Sequence, residues 1–237
     1  MLDQLGGDEE KFDQFMKTNQ LVIDDEHGAL GPHGTRALCT AIMGSAEGMS
    51  GAPCKLVKSV RIWRSDVNDD GAACLAELLR LGGAEVAISY LELLDNNVGF
   101  RGAKALGTSL SHGQNRSLLT LKLDYNATLG TDGCKALCQG LRTNETLKQL
   151  HLPYCAIDGA GGEPLGEMLS YPIAAPKSPR RLCIHVAAAA SPRPRLLRLS
   201  TRGTPRRRRG PASADYPHRG RGKFGSGPAE KSVTARA

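Results

Sequence analysis

The sequence is poor in aromatic residues and has no long apolar run. Only 4% of its 237 residues are Phe, Trp or Tyr, whereas the core of a compact globule is usually filled with large rings. No stretch approaches the roughly 20 apolar residues that span a bilayer, and Met1 to Gln4 lack the charged-then-apolar order of a signal peptide. We therefore expect a thin, repetitive core in an intracellular protein, cytoplasmic with nuclear entry as an alternative.

Catalytic and cofactor motifs are also lacking. The patterns G-x-S-x-G and H-E-x-x-H and the G-K-[ST] ending of a P-loop do not occur, and the six His residues are spread singly. The sequence therefore predicts a protein that is not an enzyme, with no catalytic residue, cofactor, metal or small-molecule substrate.

The cysteine count argues against a disulfide framework. Seven is an odd number, and an intracellular setting keeps thiols reduced. Cys134 and Cys138 lie four residues apart on a predicted helix, a spacing that could offer two thiolates to one metal. Their place in the repeat favours small buried fillers instead, because free cysteine packs well. Glycosylation is not expected at the sequons of Asn115, Asn126 and Asn144.

Charge is divided unequally along the chain. Residues 171–237 contain 16 Lys and Arg against 2 Asp and Glu, together with nine of the thirteen prolines, whereas residues 1–170 contain 15 basic and 22 acidic residues. Such a segment buries too little apolar surface to offset its ordering entropy, so a disordered Arg/Pro/Ala/Gly-rich tail is predicted. The run from Arg206 to Arg209 would attract phosphate by charge and resembles a nuclear localisation signal. An out-of-frame or unspliced message is an alternative origin of this tail.

The dominant pattern is a repeat with a period near 30 residues. Its clearest unit, from Leu147 to Ile157, has the spacing L-x-x-L-x-L-x-x-N/C-x-L. A second unit runs from Ile88 to Val98, and a third, from Leu118 to Leu129, has one extra residue. A weaker copy runs from Val57 to Val67, and Leu21 to Leu30 is the remnant of a first copy. The alternating apolar residues predict a short strand with an inward face in each unit.

Each strand pattern leads through a glycine-rich turn into an apolar helical pattern. Gly99 and Gly102 precede Leu106 and Leu110. The corresponding helical pairs of the other units are Leu38 and Ile42, Leu75 and Leu79, Leu137 and Leu141, and Leu165 and Leu169. One unit cannot bury its own apolar face, whereas stacked copies share a continuous core.

These residues resemble the ribonuclease-inhibitor class of leucine-rich repeats, which also occurs in NOD-like receptors and in the activator of the Ran GTPase. The resemblance covers roughly residues 19–170, about five repeats, and implies an α/β solenoid with parallel strands on the concave face and helices on the convex face. Residues 1–18 are expected to form a lead-in or cap helix. The slot held by Asn96, Asn126 and Cys155 is expected to turn the chain inward and to satisfy buried backbone groups.

The residues between the inward leucines are predicted to line the concave face. Four of the chain's ten aromatic residues fall there, and Trp, Tyr and Arg are frequent hot spots of interfaces. We predict that a protein partner contacts Arg61, Trp63, Arg64, Tyr90, Glu92, Asp95, Lys122, Tyr125, His151 and Tyr154. The alternative is that these aromatic and charged residues are ordinary surface side chains of a solvent-exposed sheet.

The function predicted from these features is a protein–protein interaction scaffold. The resemblance also implies an alternative, a regulator that activates hydrolysis by a small GTPase, which a GTP hydrolysis assay would test. A third hypothesis is that the basic tail binds nucleic acid, in which case deletion of residues 171–237 would abolish binding.

Overall fold

Strands and helices alternate along the chain in the computed structural model, which describes residues 14, 17–24, 30–45, 51–82, 85–171, 181–186 and 232–236. The described strands are β1 (Gln20–Asp24), β2 (Ser59–Trp63), β3 (Tyr90–Leu94), β4 (Thr120–Lys122), β5 (Gln149–His151), β6 (Arg181–His185) and β7 (Ser232–Arg236). The described α-helices are α1 (Gly31–Ile42), α2 (Asn68–Gly82), α3 (Phe100–Ser109), α4 (Gly130–Leu141) and α5 (Gly162–Ser170), and a 3-10 turn, Gly159–Gly161, precedes the last.

The strands lie in the sheet in the order in which they occur in the chain. β1 to β6 are parallel neighbours, and β7 pairs antiparallel with β6. One row across the sheet consists of the inward residues Leu21, Val60, Leu91, Leu121, Leu150 and Ile184. The predicted α/β solenoid of leucine-rich repeats, with its parallel sheet, is confirmed.

Stacking of the repeats produces one continuous apolar core. Leu121 and Leu150 of the strands and Leu106 and Leu137 of the helices are fully buried. Full burial of one such side chain is worth about 2 kcal/mol, so the shared core supplies most of the drive to fold. Each repeat buries its apolar face only because a neighbour covers it.

The last helix, α5, differs from the pattern expected for it. Leu165 and Leu169 are only partly buried, whereas Met168 is fully buried. Among the described helices, α5 has a neighbour on one side only, α4. Its leucines therefore lack the cover that the helices inside the stack receive.

The asparagine slot joins adjacent repeats through buried hydrogen bonds. The Nδ2 atom of Asn126 donates to the carbonyls of Leu93, Leu123 and Asp124, and its Oδ1 accepts from the backbone N–H groups of Asn96 and Val98. Such pairing removes the cost of unsatisfied backbone groups in a buried turn.

Asn96 and Cys155 occupy the equivalent slot of the neighbouring repeats. Asn96 makes the corresponding bonds to β2, from Nδ2 to the Ile62 carbonyl and from the Ser65 N–H to Oδ1. The thiol of Cys155 donates to the Leu123 carbonyl at 2.9 Å. The expected role of this slot is therefore found in the described repeats, and the bonds cross from one repeat to the next.

A second pair of asparagines supports the turns between helix and strand. Asn115 and Asn144 are each 3% exposed. Their Nδ2 atoms donate to the carbonyls of Leu79 and Leu110, the ends of the preceding repeats' helices. Both belong to sequons, as does the buried Asn126. The amide nitrogen of each of these three residues already donates hydrogen bonds within the fold.

Two segments of the predicted tail are strands, so the expectation of disorder from residue 171 onward does not hold for them. β6 continues the register of β5, with Ile184 beside Leu150, and Leu182 and Ile184 are buried. β7 covers the other edge of β6. The Arg206–Arg209 run and the expected cap helix lie outside the described residues, apart from residues 14, 17 and 18 of the latter.

The cysteines of α4 pack as the sequence suggested. Cys134 and Cys138 are both buried in the core. In the ranges described, no group of three or more His, Cys, Asp or Glu side chains is arranged to hold a metal ion.

Candidate protein-binding surface

The surface of the sheet opposite the helices, named here the open face, carries the predicted contact residues in rows. Arg61, Glu92, Lys122 and His151 are direct neighbours across β2 to β5. Side chains alternate along a strand, so these four lie on the side opposite the inward leucines. Tyr90 lies two residues before Glu92 on β3 and therefore on the same face.

Four residues near the centre of the open face form a connected cluster. The Tyr90 hydroxyl donates to Glu92 Oε2 at 2.7 Å, and Arg61 Nε lies 3.7 Å from the same oxygen. The Arg61 guanidinium and the Lys122 ammonium lie 4.9 and 5.8 Å from the centre of the Tyr90 ring. Glu92 is only 7% exposed. Glu92 is thus held by Tyr90 and Arg61 with little of its own surface exposed, and its role as a partner contact stays a prediction.

The protonation states of this cluster follow from burial and from the neighbouring charges. Burial and the hydrogen bond to Glu92 raise the pKa of Tyr90, so the phenol stays neutral. Burial lowers the pKa of Lys122, but the interactions with Tyr90, Glu92 and Asp124 outweigh it and raise that pKa overall. Lys122 therefore stays charged beside a neutral Tyr90 ring.

Two further predicted residues, Trp63 and Arg64, lie at the C-terminal end of β2. Arg64 forks onto the carboxylate of Asp24, with Nη2–oxygen distances of 2.8 Å. Trp63 is half-buried, and among the described residues its Nε1 is buried without a hydrogen-bond acceptor, as is Arg61 Nε. Buried donors of this kind cost about 1–3 kcal/mol each unless an acceptor reaches them.

Tyr125 and Tyr154 form a stacked pair where the chain leaves β4 and β5. Their ring centres are 4.4 Å apart with an angle of 17° between the planes, and Tyr125 is 49% exposed. Both residues have left-handed backbone, with φ of 62° and 59°, as do Arg64 and Asp95 at the equivalent position of the two preceding repeats. The same turn conformation therefore follows each of the strands β2 to β5. In the last two of these turns it holds a stacked aromatic pair at the rim of the open face.

His151 stacks on His185, a residue of the predicted tail. The rings of His151 and His185 are 4.0 Å apart with an angle of 13°, and Cys183 Sγ lies 3.4 Å from His185 Nε2. The available signal was the pair Ile184 and Val186, which repeats the spacing of Leu150 and Leu152 around a histidine. That signal was missed because the surrounding composition is typical of disorder.

This histidine pair makes stability depend on pH. Burial, His185 and the charge on Lys122 lower the pKa of His151 from 6.5 to about 4. Between pH 6.5 and about 4, His151 is protonated in the unfolded chain and neutral in the folded chain. The stabilisation that is present above pH 6.5 is therefore lost as the pH falls towards 4. Allowing for screening by water at a half-buried ring, we expect the free energy of unfolding to fall by on the order of 1 kcal/mol at acidic pH.

The measurement is urea unfolding at neutral pH and at acidic pH. The variant His151→Gln should lose this part of the pH dependence, whereas His33→Gln, on an exposed position of α1, should keep it. An unchanged pH dependence in His151→Gln would contradict the assignment.

Comparisons with known proteins agree with the repeats seen in the structure. A family model described as Leucine Rich repeat matches residues 114–138 and 143–166. The chain is similar to the ribonuclease inhibitor of Sus scrofa, 26% identical over 175 residues, which cover 62% of this chain and 36% of the inhibitor. It is also similar to NACHT, LRR and PYD domains-containing protein 12 of Mus musculus, 30% identical over 159 residues, which cover 66% of this chain and 14% of that protein.

The chain spans only about a third and a seventh of the lengths of these two curated relatives. The similarity therefore concerns the repeats and does not extend to the activities of the two full-length relatives. None of the helices in the described ranges is long and apolar enough to cross a membrane.

Proposed function

This chain is a leucine-rich repeat protein of the ribonuclease-inhibitor and NOD-like receptor type, and from that premise we propose that it binds a protein partner through the open face of its sheet. The repeats form a protein-binding scaffold. The observation that carries the choice of face is the stack of Tyr125, which is 49% exposed, on Tyr154. An exposed ring adds little to a packed core, whereas an interface gains from a rigid aromatic anchor.

The cluster at the centre of the face supports the same proposal. Arg61 and Lys122 are held over the Tyr90 ring, and Glu92 fixes the cluster from below. Side chains held in place in the free protein lose little entropy when a partner binds.

Capture of partners by the full chain tests this proposal. The double variant Tyr125→Ala/Tyr154→Ala should retain roughly a tenth or less of the partner captured by the wild type, because aromatic anchors supply a large share of binding energy. Tyr171→Ala is the matched control, since Tyr171 is similarly exposed, at 42%, but follows α5. Proteins recovered by mass spectrometry in equal amounts with wild type and double variant would contradict the proposal.

Three candidate classes of partner can each be tested by an assay. The name of the Sus scrofa relative makes a ribonuclease the first partner to test, by inhibition of RNA cleavage. GTPase activation stays a prediction, tested by GTP hydrolysis with small GTPases. Nucleic-acid binding through the basic tail also stays a prediction, because the Arg206–Arg209 run lies outside the described residues.

A further inference from the structure

A groove lies between α2 and α3, on the side of the molecule away from the open face. Its volume is about 530 Å³. Ala73 and Ala76 of α2 and Ala105 of α3 line it, together with Phe100, Arg101 and Lys104 of α3. The groove is therefore apolar at its alanines and basic along α3.

The groove exists because one repeat lacks a long side chain that the others carry. Ala73 lies two residues before the buried Leu75 of α2, and in α3 the equivalent residue is Lys104. The corresponding residues of α1 and α4 are Arg36 and Lys135. At this position Ala73 carries a methyl group where those three residues carry long cationic side chains.

Phe100 is a second departure from the repeat at the same groove. The equivalent residue at the start of α2 is Asp69, whose Oδ1 accepts from the backbone N–H groups of Gly99 and Gly102 at 2.7 and 2.8 Å. The residue in α4 is Thr131. Phe100 is 47% exposed, so about half of its surface is accessible to a partner.

The two cations on the α3 side of the groove, Arg101 and Lys104, are not paired with the rest of the described structure. Among the described residues, the side chains of Arg101 and Lys104 make no ion pair or hydrogen bond, whereas Arg80 across the groove is paired with Glu77 at 2.6 Å. Arg101 lies in the first turn of α3, where the helix dipole disfavours a positive charge. The first turn of α4 contains Asp132 instead. Folding gains nothing from Arg101 at this place.

We propose that this groove binds an acidic amphipathic helix of a protein partner. Ala73, Ala76 and Arg80 lie at i, i+3 and i+7 of α2, so the groove is about 10 Å, or two helical turns, long. Small side chains let a third helix approach closely and place its apolar residues beside Phe100. Carboxylates at the flank of that helix would pair with Arg101 and Lys104.

The experiment measures the fluorescence anisotropy of a labelled helical peptide with leucines at i, i+4 and i+7 and glutamates at the flanking positions. The full chain should bind it roughly tenfold more tightly than a matched peptide with lysines in place of the glutamates, and added salt should weaken the binding. Arg101→Glu/Lys104→Glu should reverse this preference. Ala73→Gln, which fills the groove without adding charge, should weaken binding about tenfold.

Control variants separate this site from other surfaces. Lys135→Glu makes the charge change of Lys104→Glu at the equivalent position of α4 and should leave the affinity within about twofold. Tyr125→Ala/Tyr154→Ala should also leave it unchanged, because that pair lies on the open face. Circular dichroism of each variant checks that the fold is kept.

Three results would overturn the proposal. These are equal affinity for the acidic and basic peptides, full binding by folded Ala73→Gln, and concentration-dependent dimers that Ala73→Gln abolishes. The last would assign the groove to a second copy of the chain. Failure of the open-face experiment would leave this result untouched, since the two tests use different residues and different ligands.

Discussion

Replacement of Asn126 by leucine is expected to lower the free energy of unfolding by about 4 kcal/mol. Leucine fills similar space but leaves the N–H groups of Asn96 and Val98, both in fully buried residues, without their acceptor. It also removes the donor to the carbonyls of Leu93 and Leu123. Each buried backbone group left without a partner costs about 1–3 kcal/mol, and at least two are affected.

Urea unfolding followed by circular dichroism measures this loss. Asn126→Cys should fall between wild type and leucine variant, because Cys155 shows that a thiol in the equivalent slot still donates to a carbonyl. Gln139→Leu is the control, since Gln139 is an exposed amide side chain on α4. A leucine variant at Asn126 as stable as Gln139→Leu would show that the asparagine slot does not join the repeats.

Replacement of Gly140 by alanine is expected to cost about 3 kcal/mol, an effect in the range of overpacked cores. A Cβ at Gly140 would lie 2.1 Å from the carbonyl carbon and oxygen of Gly107 in α3. Backbone atoms have no other rotamer to adopt, so α3 and α4 would have to separate. That separation would open the core between two repeats in the middle of the stack.

Gly166→Ala is a control with the opposite sign. Gly166 also lies inside a helix, α5, but an added Cβ there meets no atom within 4 Å. The exchange should stabilise the chain by about 0.5–1 kcal/mol, because alanine has the higher helix propensity. Thermal unfolding compares the two variants, and equal shifts of Tm would contradict a close approach of α3 to α4 at Gly140.

The two proposed binding surfaces make different use of the repeat. On the open face, strands in register bring Arg61, Glu92 and Lys122 side by side. On the helix side, departures from the repeat at Ala73 and Phe100 create the groove. A solenoid has two such surfaces because every repeat exposes one strand and one helix. A partner on one side therefore leaves the other side accessible.

Several features of the open face followed from sequence spacing. The predicted neighbours Leu91, Leu121 and Leu150 occupy one row of the sheet. Because side chains alternate along a strand, that row also places Lys122 beside His151 on the opposite side. The contact residues stay a prediction, which partner capture tests against the alternative of a solvated face.

Other features depended on contacts between repeats. Spacing places Glu92 on the open face but says nothing of its burial beneath Arg61 and Tyr90, which depends on the rotamers of all three. The sequence placed His185 in the predicted disordered tail because the local composition favours disorder, whereas pairing with β5 supplies backbone hydrogen bonds that composition does not encode.

The sequence by itself determined the repeat, its strand–helix order and the register of the core. A periodic apolar pattern is buried when each repeat stacks on the next with equivalent residues side by side. Only the tertiary structure decided which polar side chains meet. The stack of Tyr125 on Tyr154, the pair of His151 and His185 and the groove beside Ala73 each join residues of two different repeats. Contacts of this kind depend on distances between side chains of neighbouring units, which spacing within one unit does not contain.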